Sequence, residues 1–355
     1  MFDNQKTLGA FYGLGAALLF GLTTPLIKLY LSDYDLFPLA GLLYMGAGLG
    51  LGLFEIFLTS TNKKGFSQSE TPIQRTDIGL LFGIILTGGI LGPILMLYGL
   101  QCLSAVVGSL LLNLEAPLTI LLAVTLFREH LGKREAGAAL FIFAGAGILS
   151  YSPGTLYGDW LAVIGISAAC VCWAVDNNLT QRLSLRNPLA VARIKGLSAG
   201  AFSLGLSWIL NYKFPDSVII VLVLAVGFVG YGISVVLDIY ALRLLGAARE
   251  AALFATAPFI GALAAVPILG EKWQAGDYPA AVIMALGVWI LMSEHHRHMH
   301  DHTEMEHDHI HTHADFHHDH RHEEDVTGSH AHTHRHLPLH HDHVHVSDLH
   351  HRHTH

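Results

Sequence analysis

The sequence predicts an all-α membrane protein of ten transmembrane helices, arranged as two inverted five-helix repeats and followed by a disordered histidine-rich tail. Three observations carry that expectation. Apolar runs close to the roughly 20 residues that a bilayer-crossing helix requires recur along residues 8–293. The second half of that stretch repeats residues of the first at an offset of 142. From His295 onward the composition changes altogether, and every one of the 26 histidines except His130 lies there.

Composition sets the class. With 52% hydrophobic and 14% charged residues over 355 positions, the chain is too apolar for a water-soluble domain and long enough for many spans. Of the formal charge of −8, residues 295–355 contribute −7, which leaves the preceding residues close to neutral. Cys102, Cys170 and Cys172 lie in or beside apolar runs with no paired spacing, so no disulfide framework is expected. The start, Met1 to Lys6, leads into an apolar stretch too long for a signal peptide, and the first helix is expected to remain as an anchor. No Gly-x-x-x-x-Gly-Lys-Ser/Thr loop is present, no reaction is expected to be catalysed, and nothing calls for a nucleic-acid partner.

Taken in order, the expected spans cover about 8–31, 36–58, 78–100, 103–127, 134–151, 158–184, 188–210, 217–237, 248–269 and 277–293. Lys63, Lys64, Arg75, Arg128, Lys133, Arg134, Arg182, Arg186, Arg243 and Arg249 fall in or beside every second connection. The alternate connections hold chiefly Lys213 and Lys272, a bias that puts both termini in the cytoplasm of a multi-pass protein of the inner (plasma) membrane. At the offset of 142, Tyr98 meets Tyr240, Leu100 meets Leu242, Glu129 meets Glu271, Gly145 meets Gly287 and Leu149 meets Leu291. The prolines of the fourth and ninth spans, Pro117 and Pro258, slip by one. Five spans per half is an odd number, so the second copy must enter the membrane inverted, an architecture common among secondary transporters. The expected units are residues 1–151, 152–294 and the tail 295–355. Small-residue stretches such as Gly46 to Gly52 and Ala144 to Gly147 suit close helix packing in lipid.

Further landmarks are Phe20-Gly-Leu-Thr-Thr-Pro25 with Lys28 in the first span, echoed by Trp173-Ala-Val-Asp-Asn-Asn178 with Arg182 in the sixth. In the fourth-helix position of each half stand Glu115 through Glu129 and Ala257 through Glu271. In this order and spacing the chain resembles the drug/metabolite transporter superfamily, EamA-type branch, over residues 8–293. The resemblance implies a permease that alternates access around a central cavity, often exporting small metabolites, and it specifies no substrate. An acid just before the fourth-helix proline is familiar in such permeases, whereas the histidine-rich tail departs from the family.

Glu115 sits about halfway along an apolar run, where a charge costs at least roughly 2.5 kcal/mol unless it faces protein or water. It is expected to face the bundle interior and either take up a proton or pair with a cationic substrate group, its bland alternative being a structural partner to another helix. Asp176 follows Trp173 by three residues, so an acid and an aromatic share one face of the sixth span and suit a cavity wall. Asn177 and Asn178 line the same cavity or tie helices together, and Thr24 stands at the corresponding place in the first span. Asp238, Arg249, Glu250, Lys28, Arg193 and Lys195 lie towards expected span ends, which favours snorkelling or structural pairing. For Glu129 and Glu271 a gate role competes with plain solvation.

The tail mixes histidines with acids and is almost free of large apolar residues, so it is expected to bury no core and stay disordered. Repeated His-x-His spacing, as at His332, His334, His336, at His341, His343, His345 and at His351, His353, His355, offers sites for Zn, Ni, Co or Cu. No cofactor is required. Three readings stand open: a permease of a small solute, in a lipid bilayer and with a homodimer left open, whose tail binds divalent metal ions; a transition-metal exporter that collects ions on the tail; and a membrane-anchored metal buffer or sensor.

Overall fold

The computed structural model describes residues 2–60, 71–127, 133–150, 160–184, 186–245, 247–292, 296–301, 305–311, 330–336 and 340–345. Lys63, Lys64, Arg128, Glu129, His130, His351, His353 and His355 therefore lie outside the described residues.

The membrane portion is all-helical. Its helices are α1 (Phe2–Lys28), α2 (Leu36–Ser60), α3 (Ile78–Ile84), α4 (Gly92–Cys102), α5 (Ala105–Leu111), α6 (Glu115–Phe127) and α7 (Lys133–Ser150) in the first half. The second half holds α8 (Trp160–Leu183), α9 (Pro188–Ile209), α10 (Ser217–Gly227), α11 (Ser234–Leu245), α12 (Ala247–Phe254), α13 (Ala257–Leu269) and α14 (Asp277–Met292). Short π-helical turns, Ile85–Leu91 and Phe228–Ile233, join α3 to α4 and α10 to α11. Among the described residues, eight continuous helical stretches are long and apolar enough to cross a membrane, and two further apolar helices, Ala136–Ser150 and Asp277–Leu291, are shorter.

The sequence offset is also a structural one. From Gly92 to Ser234, from Ala105 to Ala247 and from Glu115 to Ala257, the starts of α4 and α11, α5 and α12, and α6 and α13 are each 142 residues apart. The α-helices of the fourth and ninth spans thus restart at matching places, whatever the slip of their prolines. Packing follows the same exchange: α1 lies against α11 and α13 just as α8 lies against α4 and α6, while α2 packs on α9 and α7 on α14. Glycines permit these crossings, since a Cβ on Gly48 would meet the backbone nitrogen of Leu197 at 2.5 Å.

One boundary differs from the sequence expectation. The eighth span, expected to end at 237, runs as a single apolar stretch from Ser217 to Leu245. Asp238 therefore sits inside a helix and not at its end, because the backbone hydrogen-bond ladder continues past one polar side chain when that side chain has a polar interior to face.

The tail differs too. Where no regular structure is expected, four strands are described: β1 (His296–Asp301), β2 (Met305–His311), β3 (His330–His336) and β4 (His340–His345). Antiparallel pairing of β1 with β4 and of β2 with β3 keeps one register throughout. It sets His298 opposite His343, His300 opposite His341, His307 opposite His334 and His309 opposite His332. An antiparallel ladder satisfies backbone N–H and C=O groups without needing an apolar core, and the period of His-x-His matches the period of a strand.

Candidate functional site

Between the two halves lies a cavity of about 80 Å³. Its walls come from α1, α2, α6, α8, α9, α11, α12 and α13, together with the 3-10 turn Leu112–Leu114 and the π-turn of the eighth span. The local reason for one wall is a freed carbonyl. In the π-turn Ile85–Leu91 the N–H of Gly92 bonds to Thr87, and Pro93 has no N–H to offer, so the ladder leaves Gly88 O free. Tyr44 Oη donates to that oxygen at 2.5 Å and Trp173 Nε1 donates to it at 3.3 Å, which locks both rings at the cavity. Phe20 then packs edge-on to Trp173 and to Tyr231, with centroids 5.9 and 5.5 Å away, and against Phe254 at 5.2 Å.

Four carboxylates line the same space: Glu115, Asp176, Asp238 and Glu250. Among the described lining residues Lys195 is the sole cation. It bonds Asp176 Oδ2 at 2.6 Å, with both side chains less than a tenth exposed. Gly88 makes room for that carboxylate, because a Cβ there would collide with it. Glu115, first residue of α6, accepts from Asn177 Nδ2 at 2.7 Å, so its partner comes from another helix. Glu250 lies on α12 within hydrogen-bonding reach of Asp238, yet its buried Oε1 has no donor. Buried Asn113 also lines the cavity and leaves its Oδ1 without a partner, while its amide donates to Leu110 O. Among the described residues, no group of three or more His, Cys, Asp and Glu is arranged to hold a metal ion.

The sequence-expected residues divide accordingly. Glu115, Trp173, Asp176 and Asn177 meet at the cavity. Asn178 instead ties α8 to α6, donating to Thr119 O at 3.1 Å and to Ala174 O at 2.8 Å. Thr24 is buried away from the cavity wall. Strands β3 and β4 carry His332, His334, His336, His341, His343 and His345.

Sequence reasoning missed several lining groups. Lys195 and Asp238, expected at span ends, face the interior because α9 and α11 place them well within the bundle, and Glu250, at the start of the ninth span as expected, lines the cavity from α12. An apolar run continuing past Asp238 to Leu245 was the available signal for that residue. Tyr44, Tyr231 and Phe254 had no signal of their own, since aromatic residues in apolar spans face lipid, core or cavity alike. Half-buried Glu271 is more than a solvated acid: it accepts from the N–H groups of Ala105 and Val106 at 2.8 and 2.9 Å and so caps the start of α5. Lys28 likewise donates to Leu100 O and Leu103 O, each at 2.6 Å, and closes the end of α4. Arg193 is paired with Glu55.

Comparison with known proteins bears on the whole membrane portion. The EamA-like transporter family matches this chain twice, over residues 7–151 and 160–293. A protein of Methanothermobacter thermautotrophicus described as an uncharacterized transporter is 30% identical over 289 residues, covering 78% of this chain and 83% of that protein. Among solved structures, a crystal structure of a protein 19% identical to this chain matches with a TM-score of 0.58 over 80% of this chain and 98% of the other, a likeness of fold alone. With two matches that together span most of its length, a multi-pass apolar helical bundle and a polar cavity between its halves, this chain belongs to the EamA-like transporter family: it is a membrane permease of small solutes, not an enzyme.

Proposed function

We propose that the chain is a secondary transporter that exports a small solute by alternating access, with the cavity at Glu115, Asp176 and Trp173 as the central site. In this reading ten spans form two inverted repeats, residues 1–151 and 152–294, with both termini in the cytoplasm of the inner membrane. Either a monomer or a homodimer is compatible with it. The observation that carries the reading is the position of the cavity, where the α-helices of the fourth and ninth spans restart at Glu115 and Ala257 and polar groups of both halves converge. Glu115→Gln tests it. Keeping shape while removing charge should lower transport in proteoliposomes by at least about an order of magnitude, the loss of one charge-assisted hydrogen bond, with membrane insertion intact. Unchanged flux would return Glu115 to a structural role.

The tail, residues 295–355, is proposed to bind divalent Zn, Ni, Co or Cu and to make transport responsive to metal. A backbone register that sets histidine opposite histidine at successive alternate positions supports this, as does the His-x-His spacing with carboxylates nearby in sequence. Protons and metal compete for the same ring nitrogen. Affinity should therefore fall steeply as pH drops through about 6.5, the ordinary histidine value. Calorimetry with zinc and nickel on the full chain, above and below that pH, measures the effect, and pH-independent binding would rule out imidazole as the ligand.

A further inference from the structure

We propose that the central cavity selects an organic cation: a small solute carrying a protonated amine or quaternary ammonium group beside an apolar moiety. This rests on the transport reading above and names the substrate class of the same site.

Charge comes first. Of the four carboxylates on the wall, Asp176 is matched by Lys195 at 2.6 Å, and Glu115 receives an uncharged amide from Asn177. Asp238 and Glu250 lie within hydrogen-bonding reach of one another, and Lys195, which bonds Asp176, also acts on Asp238. Glu250 and Asn113, 7% and 1% exposed, belong to the cavity wall, and buried Oε1 of Glu250 and Oδ1 of Asn113 have no donor. An unsatisfied buried acceptor is costly, and a donor-bearing cation relieves that cost. An anion brings these acceptors no donor.

The aromatic residues of the same wall decide what kind of cation. Phe20, Trp173, Tyr231, Phe254 and Tyr44 form one connected aromatic surface, with Tyr44 and Tyr231 centroids 5.0 Å apart. The Tyr44 hydroxyl and the Trp173 N–H are already committed to Gly88 O, so the surface presents mainly ring faces and edges. Such a surface attracts an ammonium group and its attached carbons through cation–π and apolar contact, whereas a hydrated metal ion needs convergent oxygen or nitrogen ligands.

The test uses the purified full chain in nanodiscs and in proteoliposomes, with three probes of one shape: benzylammonium, benzyl alcohol and benzoate. Equilibrium binding should favour benzylammonium over benzyl alcohol by at least about tenfold, the worth of one charge-assisted hydrogen bond, with benzoate weakest. Glu250→Gln and Glu115→Gln should each cut benzylammonium affinity by a similar factor and leave benzyl alcohol unchanged, and either variant suffices if the other fails to fold. Benzyl alcohol or benzoate binding as tightly as the cation, or a cation preference unaltered in both variants, would overturn the proposal. Flux separates the two readings. Movement of benzoate or benzyl alcohol without the cation leaves a transporter with another substrate class, whereas cation binding with no flux of any probe keeps the class and sinks transport. Silence of all three in both assays removes both.

Discussion

Two places in the membrane portion share one backbone solution and differ in chemistry. In the third span, the π-turn Ile85–Leu91 presents Gly88 to α8, where a Cβ would collide with the carboxyl of Asp176. In the eighth span, the π-turn Phe228–Ile233 presents Gly230 to α1, where a Cβ would collide with the hydroxyl of Thr23. Gly88 and Gly230 are 142 residues apart, and Phe20 stands to Thr23 as Trp173 stands to Asp176, three residues before it on the same helix face. The acid, however, exists in one half only. Lys195 neutralises Asp176 at 2.6 Å, while the Thr23 hydroxyl merely donates to Leu19 O of its own helix at 3.0 Å. Duplication supplies the scaffold twice, and the asymmetry of the side chains supplies the site.

The largest effect should come from breaking the charged version of this contact. Lys195→Met leaves a buried carboxylate without its cation and should lower stability by about 3–5 kcal/mol, read as a loss of thermal stability in detergent. Adding Asp176→Asn should recover most of it, since removing both charges removes the desolvation cost of both. A double variant as unstable as the single one would mean that Lys195 matters for packing and not for charge.

The neutral version should be far more tolerant. Thr23→Val removes one hydroxyl bonded within its own helix and should cost about 1 kcal/mol or less. A loss as large as that of Lys195→Met would show that the two halves are mechanically equivalent after all. The smallest effect should follow deletion of residues 295–355. The tail has few large apolar residues to offer the bundle, so the truncated chain should insert and melt like the full one while losing most of its metal binding. A lowered melting point of the metal-free truncated chain would sink that separation.

Much of this was legible in the residues, for reasons that belong to the bilayer. Hydrocarbon offers backbone groups no hydrogen bonds, so spans must be helices of a set length, and apolar runs near 20 residues mark them. The cost of a charge in that setting made Glu115 and Asp176 conspicuous, and a spacing of three joined Trp173 to Asp176. An offset of 142 related the halves before any coordinate did. What only the tertiary structure decided is which distant groups meet. That Lys195 faces Asp176, that Glu250 faces Asp238, and that Glu271 caps α5 across 166 residues depend on how helices rotate and cross. Helical periodicity determines which residues of one helix share a face, but not which face of a neighbour they meet. In lipid that choice is set by close packing at small residues such as Gly48 and Gly88, and by the need to pair every buried polar group.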